Sequence, residues 1–198
     1  MAKIIFKKGQ NGEVIPVDKK DKNTMEIDVI GLLSQVPLDF WSINESGNLI
    51  INYANWMKDI IIQKYANIKQ REQIAKDAGK DFTIGSFVIK QRLNDADFIA
   101  MQFSQNYLTN NSSLFDSVLT FFGKKTKKIE WFDVTGKSFE LGKQEVDELV
   151  NKVSAYVLFM FELKKKIYTG MTKMNPVTLV AYDEVADWNT QLTSQTLI

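Results

Sequence analysis

Residues 144–168 read Gln144-Glu145-Val146-Asp147-Glu148-Leu149-Val150-Asn151-Lys152-Val153-Ser154-Ala155-Tyr156-Val157-Leu158-Phe159-Met160-Phe161-Glu162-Leu163-Lys164-Lys165-Lys166-Ile167-Tyr168. Val146, Leu149, Val150, Val153, Val157, Met160 and Phe161 recur at steps of three and four, so one stripe of a long helix faces a core. Gly170 offers its stop. From Tyr156 to Phe161 every residue is apolar, and at about 100° per residue such a run surrounds the helix. Leu158, Phe159 and Leu163 therefore point away from the stripe. Burying a side chain of this size is worth roughly 1.5–3 kcal/mol, so several left in water are a liability. Either the helix is central in its own domain or it packs on a partner.

Working outward, Lys128–Val134 and Lys137–Leu141 form a hairpin about Thr135-Gly136. Asn94 caps a helix running to Leu108, and Leu114–Phe122 form another apolar helical stretch. Phe82–Ile84 and Phe87–Ile89 bracket Gly85-Ser86 as a tight hairpin. Tyr53–Ala78 follow helical steps up to Gly79, and the half from Lys69 to Ala78 is almost wholly polar, as in a helix that is solvated or crosses between subunits. Upstream lie hairpins Ile4–Val17 and Phe40–Ile51, a short helix through Ile27, Ile30, Leu32 and Leu33, and the charged connector Asp18–Asn23. Pro176 opens a last helix at Val177–Tyr182, Asp187-Trp188 close the ordered chain, and Asn189–Ile198 are unpatterned. The expected fold is α+β: two long helices with shorter helices and several β-hairpins, and a small amino-terminal β-rich module. The expected domains are a docking module at 1–52, a helix/hairpin domain at 53–188 and a flexible tail at 189–198.

Composition narrows the chemistry. The chain has 198 residues, no His and no Cys, with 25 Lys+Arg against 24 Asp+Glu. Imidazole bases, thiolate nucleophiles, Ser-His-Asp triads, zinc fingers and disulfides are excluded. Gly136-Lys137-Ser138 echoes a phosphate-binding loop, but Trp131 stands where that loop needs a glycine. Lys124, Lys125, Lys127 and Lys128 flank Phe121, Phe122 and Trp131, yet Glu130 and Asp133 balance them, and the cluster reads as a solvated turn. Lys164-Lys165-Lys166 suits a helix carboxyl end. Asp95 and Asp97 suit the first turn of a helix, and Asp183, Glu184 and Asp187 lack the pattern of a calcium loop. No catalytic, cofactor-binding or metal-ligating residue stands out. No apolar run is long enough for a secretory signal or a membrane span, so a membrane is not an expected partner, and a net charge of +1 gives no reason to expect nucleic acid.

The order of elements resembles a group of short bacteriophage proteins of unknown function associated with tail-fibre and tail-assembly genes. The resemblance covers residues 71–188 and rests on Arg71, Gly85-Ser86-Phe87, Ala96–Leu108, Ile129-Glu130-Trp131 with Phe139 and Leu141, Leu163-Lys164-Lys165-Lys166-Ile167, and Val185-Ala186-Asp187-Trp188. The aromatic long helix and the apparent insertion at Leu114–Lys127 depart from it. It implies a non-enzymatic virion structural or tail-assembly protein, made in the host cytoplasm and located in the virion. Its expected partners are other phage structural proteins and further copies of itself, contacted through aromatic and aliphatic anchors. The candidate anchors are Trp41, Trp56, Trp131, Leu158, Phe159 and Leu163. The alternative is a small phage-encoded protein that binds and inhibits a host factor.

Overall fold

Short runs of alternating side chains become hairpins wherever a glycine closes the turn. The computed structural model describes residues 2–18, 22–29, 31–110 and 127–194. Residues 19–21 of the charged connector, the stretch 114–122 and the lysines at 124 and 125 lie outside the described residues. Strand β1 (Ala2–Lys8) pairs antiparallel with β2 (Val14–Pro16), Phe6 opposite Pro16, and with β3 (Thr24–Val29), Ile4 opposite Ile27. The expectation of a helix through Ile27 is thereby corrected. The backbone of Thr24–Val29 satisfies its hydrogen bonds along the free edge of β1, and only Gly31–Gln35 turns, as a short 3-10 helix. Three two-stranded hairpins follow: β4 (Trp41–Ile43) with β5 (Leu49–Ile51), β6 (Lys80–Ile84) with β7 (Phe87–Gln91), and β8 (Ile129–Phe132) with β9 (Ser138–Leu141).

The described helices are α1 (Tyr53–Ala78), α2 (Asp95–Asn110), α3 (Lys143–Met171), α4 (Pro176–Ala181) and α5 (Glu184–Ser194). The fold is α+β, with two long helices, shorter ones and a β-rich amino-terminal region. Asn94 Oδ1 accepts the Asp97 backbone N–H at 2.9 Å and so caps α2. Asn175 caps α4 in the same way through the Thr178 N–H, with Pro176 in the first turn. Gly170 does not stop α3, which continues through it to Met171. Helix α5 corrects the expectation of a flexible tail from Asn189. Asp183 Oδ1 accepts the Ala186 N–H at 2.8 Å to start it, and burial of Trp188 holds it. None of the described helices is long and apolar enough to cross a membrane.

The chain divides into two compact units, Met1–Asn67 with Ile167–Ala186, and Ile68–Lys166 with Asp187–Ile198. This division does not fall at the boundary expected after residue 52. The first unit has a core of Phe6, Val14, Val36, Trp41, Ile43 and Trp56. In the second unit α3 buries Val146, Leu149, Val150, Val153, Tyr156, Met160 and Leu163. Positions seven apart drift by about 20° per step on a straight helix, and this rotates the buried stripe. About five turns in, it has moved off Phe161, which is 51% exposed, and onto Tyr156 and Leu163.

Candidate functional site

In the second unit α2 and α3 are tied at one end, where Gln105 Nε2 donates to Asp147 Oδ1 at 2.8 Å. Asp147 also receives Lys143 Nζ at 2.7 Å, and this hydrogen bond, with that of Gln105, holds its carboxyl below the usual range. Away from this tie lies an apolar groove of about 360 Å³. Leu93 and Phe98 line one side, and Ser154, Val157, Leu158 and Phe161 line the other. Lys76 and Asp95 supply charges of opposite sign at its rim. Leu158 is 61% exposed, and Lys164 Nζ lies 5.8 Å from the centre of the Phe161 ring. A groove of this kind, apolar inside and charged at the edge, suits an apolar side chain or helix of another protein.

The sequence-derived anchors divide. Leu158 is on the surface, at the groove. Phe159 is half-buried, its ring centroid 6.3 Å from that of Tyr156. The other four, Trp41, Trp56, Trp131 and Leu163, are buried. Trp41 Nε1 donates to the Val36 carbonyl at 3.2 Å, and Trp131 Nε1 donates to Gln91 Oε1 at 3.0 Å. A buried indole whose N–H is satisfied inside the chain is core, with no free face to offer. Trp56 belongs to the first unit's core beside Tyr53, and Leu163 belongs to the drifting stripe of α3. Phe161 was expected on the core-facing stripe, and Phe98 was not among the candidate anchors. The signal that marks Phe161 is its position three residues beyond Leu158, on the same side of α3.

No family model, curated protein or solved structure matches the chain.

Two charged clusters have structural partners. In the first unit Lys64 Nζ donates to Glu184 Oε2 at 2.9 Å and to the Tyr182 carbonyl at 2.6 Å, and Asn67 Nδ2 donates to Glu184 Oε1 at 2.9 Å. Burial by itself raises the Glu184 carboxyl, but the hydrogen bonds from Asn67 and Lys64 outweigh it and leave the group below its ordinary value. These residues border a cleft of about 410 Å³ with Trp56, Ile60 and Val180. In the second unit Glu72 is buried between Lys164 and Lys76, the latter 2.9 Å away. Burial again opposes the charged form, and hydrogen bonds from Lys164 and Lys76 again outweigh it. The polar half of α1 is therefore only partly solvated: Glu72 is buried, one turn after the buried Ile68. Asp183, Glu184 and Asp187 are each engaged, as a cap, with Lys64 and Asn67, and with Gln191 respectively.

Proposed function

We propose that the chain is a non-enzymatic bacteriophage virion structural or tail-assembly protein, an adaptor that acts through protein–protein contacts. The observation that carries this reading is the groove between α2 and α3, where Leu158 and Phe161 stand in water beside Phe98. A partner that fills the groove removes these side chains from water, each worth roughly 1.5–3 kcal/mol when fully buried. Lys76 and Asp95 at the rim orient that partner without needing to be desolvated. The phage setting is supported by the order of pattern motifs over residues 71–188, and it stands or falls with the particle itself.

Mass spectrometry of particles purified from a phage that carries the gene tests the reading. Peptides of this chain in stoichiometric amount, retained after density-gradient purification, are the expected result. Their absence, with the chain found instead as a monomer in a defined complex with a host enzyme, overturns it in favour of the inhibitor.

A further inference from the structure

The exposed side of α2, which faces away from that helix's buried residues, carries no charge beyond Asp95 at its start. Met101 and Leu108 are buried. On the opposite side Ala96, Ile99, Ala100, Phe103 and Tyr107 are exposed, Phe103 to 70%. From Phe98 to Asn110 the sequence has no Lys, Arg, Asp or Glu, although a quarter of the chain is charged. A solvated helix ordinarily carries charge on its outer face, and depletion of charge is what marks the centre of an interface.

The face is graded in size and in charge. Its first half holds the small Ala96 and Ala100, and its second half holds the bulky Phe103 and Tyr107. Asp95 is exposed at the start, and at the far end Lys127 Nζ lies 3.3 Å from the centre of the Tyr107 ring. Asp95 and Tyr107 are separated by about 18 Å at 1.5 Å per residue. Such a gradient is its own complement when reversed. We infer that α2 pairs antiparallel with α2 of a second copy about a two-fold axis near residues 101–102. Phe103 and Tyr107 of each chain then lie on Ala96, Ile99 and Ala100 of the other, and Asp95 meets the partner's Lys127. The contact is isologous, so it closes as a dimer. Antiparallel alignment also sets the helix dipoles head to tail. One helix face covers less than the roughly 800 Å² per partner of a standard interface, which places the dissociation constant at about 1–100 µM. The inference rests on the reading of the chain as a protein that works through contacts, and it names a second surface that shares only Asp95 with the rim of the docking groove.

Sedimentation equilibrium of the full chain between about 1 and 300 µM brackets that range. A reversible monomer–dimer equilibrium is expected. Phe103→Glu should weaken it at least tenfold while leaving the circular dichroism spectrum and melting temperature in place. Asp95→Lys should weaken it several-fold, and Asp95→Lys combined with Lys127→Glu should recover most of the loss. A chain monomeric at every concentration, or a dimer indifferent to Phe103→Glu, overturns the pairing. A double variant no tighter than Asp95→Lys alone overturns the antiparallel register. Phe103 lies outside the groove lining, so the Phe103→Glu result is independent of the groove, whose own test is incorporation into particles.

Discussion

Glu72 is buried next to two lysines, and its ionisation is coupled to folding. Its carboxyl lies below the ordinary glutamate value in the folded chain and at that value once unfolded, as does that of Glu184. Their contribution to stability is therefore complete above the ordinary glutamate range and is lost as the pH falls through that range toward the folded value. Urea unfolding should show a midpoint that drops on acidification below about pH 5. Glu72→Gln should cost roughly 2 kcal/mol at neutral pH and flatten that acid limb. An acid limb as steep as in the unaltered chain would show that Glu72 is not one of the groups responsible. Gly79 is a second sensitive position. It sits at φ +75°, and an added Cβ would lie 2.8 Å from the Gln91 carbonyl oxygen. Gly79→Ala should lower the unfolding free energy by roughly 1–3 kcal/mol, as a left-handed backbone combined with a backbone clash requires. A midpoint in urea unchanged by the substitution would contradict this.

Among the elements, α3 separates folding from function most cleanly. Leu163→Ala should cost roughly 2–5 kcal/mol, whereas Leu158→Asp, five residues earlier and on the open side, should change stability by no more than about 0.5 kcal/mol. Equal losses in urea unfolding would mean that Leu158 is also core. The length of α3 was legible in sequence because its apolar steps persist for several turns. The side it buries was not, since a run of apolar residues from Tyr156 to Phe161 fits any rotation, and the drift that selects Tyr156 and Leu163 comes from the helix pitch. The hairpins were legible from turn glycines and period-two patterning. Strand β3 was missed because its place depends on the free edge of β1, which is remote in sequence. Helix α5 was missed although Asp183 and Trp188 carried its cap and its buried side chain.

For the whole molecule, a boundary sought from linker composition cannot reveal units assembled from separated stretches. Ile167–Ala186 join the amino-terminal 67 residues only through the fold. The tryptophans teach the same lesson: residue type suggested anchors, while burial and internal N–H partners make them core, Trp131 through a glutamine 40 positions away. All four tryptophans are buried, so native fluorescence should be blue-shifted and should move to the red on unfolding. A native spectrum already at the position of solvated indole would contradict that packing. The central claim is that the exposed apolar side chains of α3 serve docking and not folding. It is tested most directly by quantifying this chain in purified particles when Leu158→Asp and Phe161→Asp are introduced together. The account predicts a normally folded chain that is lost from the particles, and normal incorporation of that variant would contradict it.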